Sequence, residues 1–274
     1  MKNSKVVLIA GASSGIGEAA ARLLARRGHT VYGSSRDPGR VQVPGVVPVK
    51  LEVSSETSVR QCVSGVLDEA GRIDAVVYSA GFFVAGAAEE TTAELAMSQL
   101  DAYFVGAHRL VRAVLPAMRE AGGGRLILMS SSAAVAAIPF HAVYSASKAA
   151  LRHYAEALRY EVEPFGIRIA CVEGTGVRTG AAAAVQLPSE PIAAYEPART
   201  NVVESFLRAQ TEGPPPDRIA VSIVRAIEGR RIRPVYRVGF NARSLPVLRA
   251  LLPGTLFRRL FARHFGITAG PSTR

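Results

Sequence analysis

Lys5-Val-Val-Leu-Ile-Ala-Gly11-Ala-Ser-Ser-Gly15-Ile-Gly17-Glu-Ala-Ala-Ala-Arg-Leu-Leu-Ala-Arg-Arg-Gly28 is the stretch on which the fold turns. Its first six residues are a nearly unbroken apolar run, as a parallel strand covered on both faces requires. Three glycines follow within seven residues. Glu18 to Arg27 then spaces its apolar residues as an amphipathic helix does, and Gly28 ends it. A strand, a Gly-rich turn and a helix in that order make a phosphate cradle. The glycines let backbone approach a pyrophosphate, and the helix N-terminus favours its charge. Gly11, Ser13, Ser14, Gly15, Ile16 and Gly17 are the residues expected to hold it.

The rest of the chain repeats the alternation. His29 to Arg36 reads as the second strand and its end, and Val46 to Val53 as the third. A helix follows from Ser55 to about Ala70, then a fourth strand from Asp74 into the turn Ser79-Ala80-Gly81. Helical periodicity runs from about Leu95 to Arg119. Arg125–Met129, Gly166–Val172 and Arg233–Val238 supply the remaining strands, with a helix over Asp217–Glu228. Strands alternating with helices imply an α/β fold: a Rossmann-like, doubly wound, seven-stranded parallel sheet with helices on both faces, in a single domain. Residues 1–240 are expected to form it, with 241–274 as a C-terminal amphipathic extension. Where dinucleotide folds select NAD, an acidic residue at the end of the second strand receives the ribose 2′-hydroxyl. Here Ser35 stands at that end and Arg36 follows, suited to a 2′-phosphate, while Asp37 comes one place late. The cofactor expected is NADPH/NADP+.

Chemistry concentrates in Ser131 to Lys148. Tyr144-Ser-Ala-Ser-Lys148 opens a long Ala-rich helix, so its tyrosine and lysine share one face a turn apart. A free phenol, with a pKa of about 10, is a weak acid–base group at neutral pH, and a nearby ammonium moves it towards the working range. Upstream, Gly124-Arg-Leu-Ile-Leu-Met-Ser-Ser131-Ser reads as a buried strand ending in hydroxyls. Ser131 is placed to hold a substrate oxygen against Tyr144. His141, three residues before Tyr144, is a candidate to face substrate, though a lone histidine there is more often a loop residue.

With these motifs quoted, the chain resembles the short-chain dehydrogenase/reductase family over about residues 5–236. That family carries a YxxxK pair with a serine thirteen residues before the tyrosine, which here is Ser131. The resemblance implies that Tyr144 exchanges the proton, Ser131 polarises the carbonyl, and Lys148 holds the nicotinamide ribose and lowers the Tyr144 pKa. It also implies cofactor contacts at Glu52, Val53, Ser79, Ala80, Gly81, Gly174, Val177 and Thr179. Several positions depart from the pattern. Ala10 replaces a threonine, and Glu52-Val53 stands for Asp-Val. Tyr78-Ser79-Ala80-Gly81 stands for Asn-Asn-Ala-Gly, losing both amides that tie strands together. Glu173 replaces a proline and is expected to point to solvent. The sharpest departure is Tyr103, three residues before Gly106, where the family has an asparagine that holds a proton-relay water. Three readings stay open: a relay rerouted through the Tyr103 hydroxyl, slow turnover, or a register one turn off. Tyr103 therefore joins the candidate catalytic residues.

At 274 residues and 49% hydrophobic, the chain can bury a sizeable core. Cys62 and Cys171 fall in a helix and a strand, and read as small core residues in a reducing compartment. With no signal peptide or membrane span visible in the sequence, a cytoplasmic location is expected. The net charge of +11 raises nucleic-acid binding, but the bases lack interleaved aromatics outside the C-terminus, and no nucleic acid is expected. The histidines form no ligand spacing, so no metal is expected. Residues 180–216 read as a substrate lid, with Leu187, Pro188, Ile192, Tyr195 and Phe206 suggesting an apolar pocket. The basic, apolar tail Leu245–Ile267 can lie on membranes, but packing over the pocket or on a partner subunit is the more ordinary expectation. It resembles the extension of family members that act on lipophilic alcohols. A homodimer or homotetramer is expected by analogy, through the helices at about 97–120 and 144–163. The function expected is hydride transfer between NADPH and a bulky carbonyl such as a steroid, retinoid or polyketide. The alternatives are a non-catalytic NADP(H) sensor or a redox-neutral dehydratase or epimerase.

Overall fold

The computed structural model describes residues 4–180 and 185–267. Residues 181–184 of the expected lid and 268–274 of the expected extension lie outside it. Seven parallel strands form one sheet: β1 (Val6–Ala10), β2 (Thr30–Ser35), β3 (Val46–Lys50), β4 (Ala75–Tyr78), β5 (Gly124–Met129), β6 (Ile167–Gly174) and β7 (Val235–Val238). Their order is β3-β2-β1-β4-β5-β6-β7, so the winding reverses between β1 and β4. The crevice outside the strand C-termini at that reversal is where open α/β sheets bind ligands.

Strand alternation separates two apolar layers. Val6, Leu8 and Ala10 face the side covered by α2 (Glu56–Ala70), α4 (Gly106–Glu120) and α5 (Ala142–Val162). Val7 and Ile9 face α1 (Gly15–Arg26) and α7 (Asp217–Glu228). Cys62 and Cys171 are buried, unbridged thiols, and burial pushes their pKa up to about 11 and about 12. The third strand is shorter than expected. The Leu51 amide still donates to the Ser35 carbonyl at 2.9 Å, after which Glu52 and Val53 turn into the crevice.

The long helix expected over residues 95–119 is interrupted. It consists of α3 (Ala93–Leu100), one π-helical turn (Asp101–Val105) and α4. The Tyr78 hydroxyl donates to the Ala102 carbonyl at 2.5 Å, inserting a partner into the helical ladder at that turn. Gly106 makes room for it, since a Cβ there would stand 2.6 Å from the Tyr78 oxygen. After β6 the chain forms α6 (Ala198–Glu212) and α7. It ends, after β7, in α8 (Phe240–Leu251) and α9 (Gly254–His264), which close over the crevice.

Candidate active site

The Gly-rich turn is built for close approach. Gly11 and Gly15 adopt φ of +83° and +58°. A Cβ on Gly17 would stand 2.0 Å from the Gly11 oxygen, which no side chain survives. Ser14 enters α1 without a side-chain cap, leaving the first-turn amides to the cavity that Ser13, Ser14, Gly15, Ile16 and Gly17 line. The amides expected at the end of β4 are replaced by a different tie. The Ser79 hydroxyl donates to the Ala10 carbonyl at 2.8 Å and the Gly11 carbonyl at 3.2 Å. Both amides are gone, as the sequence shows, and this one hydroxyl ties the strand ends in their place.

All these residues line one cavity of about 1820 Å³. That exceeds the roughly 300–1,000 Å³ usual for a single small ligand and leaves room for a dinucleotide and a second molecule. At one end lie Ser35, Arg36, Asp37 and Arg40, with Glu52 and Val53 opposite. Asp37 accepts from the Gly39 amide at 3.0 Å, capping a short turn. Arg36 is exposed, and Arg40, which the sequence reading passed over, joins it four residues on. Glu52 accepts from the Ser54 amide and hydroxyl at 3.3 and 2.9 Å. Ala80, Gly81, Gly174, Val177 and Thr179 line the middle of the same cavity. The Thr179 hydroxyl donates to Gln210 at 3.0 Å. The residues present fit a nicotinamide dinucleotide on the evidence of the cradle, the helix N-terminus and the cavity's length.

Ser131, Tyr144 and Lys148 meet at the cavity's centre. Ser131 leaves β5 in extended conformation and its Oγ accepts from the Ala133 amide at 3.1 Å. Burial pushes the Tyr144 phenol up to about 12, against a hydrogen bond from Ser131 that acts downwards. Lys148 Nζ donates to the Met129 carbonyl at 2.7 Å and stands 3.9 Å above the centre of the Tyr103 ring. Burial lowers its pKa from 10.5 to about 7. Nζ lies 5.8 Å from the Tyr144 ring centre and 3.9 Å from that of Tyr103, so the lysine stands nearer to Tyr103 than to the tyrosine it is expected to lower.

The π turn settles the register of Tyr103. Its ring sits edge-on to Tyr144, centroids 5.4 Å apart, in the position expected from the sequence. Gly81 permits this, since a Cβ there would lie 2.1 Å from the Tyr103 ring. Burial holds the Tyr103 phenol well above 10, so it stays a neutral hydroxyl. His141 is placed differently from the expectation. It is 1% exposed, its Nδ1 lies 3.1 Å from the Pro139 carbonyl, and its ring packs 4.4 Å from Phe206, outside the cavity lining. Glu173 is corrected as well. Its side chain is fully buried, with Arg237 at 3.0 Å and Arg152 at 3.7 Å, because the carboxylate joins β6, β7 and α5 rather than meeting water.

Of the five apolar residues expected to form the lid's pocket only Phe206 lines the cavity, where Val185, Gln186, Ser205, Ala209 and Gln210 of the same segment join it. Leu187 and Pro188 line a separate small hollow, and the Tyr195 hydroxyl donates to Glu89 at 2.7 Å. The sequence reading missed Phe83, whose ring lies 4.8 Å from Tyr144 and 4.9 Å from Phe206. Its signal was a Phe82-Phe83 pair directly after a strand-end glycine, where ligands bind. Missed too was how much of the wall comes from the tail: Leu245, Leu248, Leu252, Phe257, Phe261 and Phe265.

A doubly wound sheet with a Gly-rich turn, and a Ser–Tyr–Lys cluster in the same crevice, define an oxidoreductase of CH–OH and C=O groups with a nicotinamide cofactor. The chain belongs to the short chain dehydrogenase family, whose profile matches residues 5–189. It is 40% identical to a 3-ketodihydrosphingosine reductase of Bacteroides thetaiotaomicron over 64% of this chain, covering 65% of that relative's own length. It is 30% identical to retinol dehydrogenase 8 of Bos taurus, over 93% of this chain and 88% of the relative. Among solved structures, a short-chain dehydrogenase from Streptomyces avermitilis superposes with a TM-score of 0.83 at 29% identity, covering 96% of this chain and 97% of the other.

Proposed function

We propose that the chain is an NADP(H)-dependent reductase or dehydrogenase of a bulky lipophilic carbonyl or alcohol. One observation carries the substrate class: the cavity that holds Ser131, Tyr144 and Lys148 continues into a wall of Phe83, Phe206 and the tail's leucines and phenylalanines. Two relatives named for 3-ketodihydrosphingosine and for retinol, both largely hydrocarbon, support the same class. Arg36 and Arg40, with no carboxylate at the Ser35 position, support a 2′-phosphate over a bare ribose.

The bound cofactor supplies the hydride. Arg36 and Arg40 would hold its phosphate, the α1 amides its pyrophosphate, and Lys148 its ribose. Ser131 would orient and polarise the carbonyl oxygen. Tyr144, protonated throughout the neutral range, would give its proton to that oxygen as negative charge develops there. Phe83 and Phe206 exclude water from the reacting atoms. Glu52, Val53, Ser79, Ala80, Gly174, Val177 and Thr179 complete the cofactor's walls, and assembly through the long helices α3–α4 and α5 is part of the same reading.

The test is NADPH consumption against steroid, retinoid and long-chain ketones, with NADH in parallel and Tyr144→Phe as control. The expected result is NADPH loss with at least one lipophilic ketone, abolished in the control. Faster turnover with NADH would overturn the cofactor reading. Tight NADPH binding without turnover of any ketone would replace the reductase by a sensor or a redox-neutral enzyme.

A further inference from the structure

The chain's charge is not spread over it. Residues 229–274 contain ten arginines and no acidic residue, whereas residues 1–228 hold 23 Lys and Arg against 22 Asp and Glu. The body is therefore nearly neutral, and almost the whole excess of +11 sits in the final segment. Four of these arginines, Arg230, Arg231, Arg233 and Arg237, lie before or in β7, and five lie on the α8–α9 hairpin. Arg243, Arg249, Arg258, Arg259 and Arg263 are all exposed there.

The same hairpin carries the surface's largest share of uncovered apolar side chains. Phe240, Val247 and Leu251 follow one another on one face of α8, exposed by 83%, 55% and 75%, with Leu248 beside them. Leu256 and Leu260 lie one turn apart on α9 and are also exposed. The other exposed large apolar residues described (Met97, Tyr160, Phe165, Leu187 and Val221) are dispersed over the body. The inner side of α9 is a separate stripe, Phe257, Phe261 and Phe265, stacked along the cavity. The hairpin thus has two apolar faces. One is spent on the cavity and one is uncovered, with arginines along its edges.

We propose that this outer face docks on an anionic phospholipid bilayer, its leucines and Phe240 in the headgroup–acyl boundary and its arginines on the phosphates. Charge and hydrophobicity together select this occupant. A nucleic acid would neutralise the arginines but leave six large apolar side chains in water. A second copy docking tail to tail would bury those side chains but oppose two segments that hold no acid between them. An anionic bilayer satisfies both at once. Three of the exposed residues, Phe240, Leu248 and Leu260, also line the cavity, so its rim faces the lipid. Docking depends on the tail alone; passage of a lipophilic substrate across that rim rests on the proposed function.

The test is cosedimentation of the full chain with vesicles of phosphatidylcholine, with and without phosphatidylserine, at low and high salt. Binding is expected only with phosphatidylserine, and weakened by salt. Arg258→Ala with Arg259→Ala should weaken it roughly thirtyfold at low salt, the loss expected for two arginines at an anionic surface. Leu251→Ser with Leu256→Ser should weaken it at every salt concentration. Neither pair lines the cavity, so NADPH binding and circular dichroism should match the unchanged protein and show that the fold is intact. Equal binding to neutral vesicles, binding to neither, or capture by RNA but not lipid would each overturn the proposal. So would a lipid-free dimer that the leucine pair converts to a monomer. A chain that binds lipid yet reduces no ketone would sink the substrate reading and leave the docking surface standing.

Discussion

Tyr103 shows how one residue changes the meaning of its neighbours. Its ring covers the Lys148 amine at 3.9 Å, in the place where the family keeps an amide. The ring could act through its face or through its hydroxyl, and the structure favours the face. Burial keeps the hydroxyl neutral, whereas a desolvated cation–π contact is worth about 1–2 kcal/mol. Tyr103→Phe should therefore leave kcat within about threefold, because the contact is retained. Tyr103→Leu should move the alkaline limb of the rate profile, on which Lys148 loses its proton, down by about one pH unit. A tenfold or larger loss in the phenylalanine variant would put a proton relay through the hydroxyl after all. Ser131, Tyr144 and Lys148 were legible because helical spacing and a strand end fix them locally. The placement of Tyr103 was legible only through resemblance, because the π turn that aims it depends on Tyr78, Gly81 and Gly106, which meet only in the folded chain.

Elements were legible wherever one segment determines its own state. Strands β1, β2, β4 and β5, the α1 turn and α7 stand close to where their patterns put them. The lid's helical piece near Thr200 to Gln210 was legible and stands as α6, but the way the rest of the lid is held was not, because long-range pairing holds it. Gln186 bridges to Val84, and the Glu90 carboxylate accepts from the Ala87 and Ile192 amides, both at 2.7 Å, while pairing with Arg199. That carboxylate is buried, and Arg199 is nearly so. Removing one member of a buried pair typically costs about 3–5 kcal/mol. Glu90→Gln should therefore lower the melting temperature and speed protease cleavage within 185–197, while the sheet keeps its protection from hydrogen exchange. Uniform loss of protection across sheet and lid would show that Glu90 serves the whole fold and not the lid. Glu173 teaches the same lesson. A lone acidic residue in a loop pattern reads as solvent-facing until Arg152 and Arg237 arrive from other elements.

At the scale of the molecule, composition gave the total charge but not its meaning, because +11 spread evenly and an excess gathered in residues 229–274, half of its arginines on one hairpin, are different surfaces. Burial of the active site is likewise a property of the whole fold, and it has a signature in stability. The folded Lys148 titrates near 7 instead of 10.5, so between those values the unfolded chain holds a proton that the folded chain has released. Stability must then rise with pH across that window, and this contribution is lost as pH falls through 7. Tyr144 acts in the opposite sense. Its folded pKa of about 12 lies above 10, so the stability it adds is complete below pH 10 and is lost as pH rises towards 12. Replacing Lys148 by methionine removes the first effect and leaves the second. Urea unfolding should find Lys148→Met more stable than the unchanged protein at pH 6.5, with the gap closing steadily towards pH 10. A gap that stays constant with pH would mean that the amine is solvated in the folded chain, and that the packing of Tyr103 and Met129 around it is looser than the structure describes.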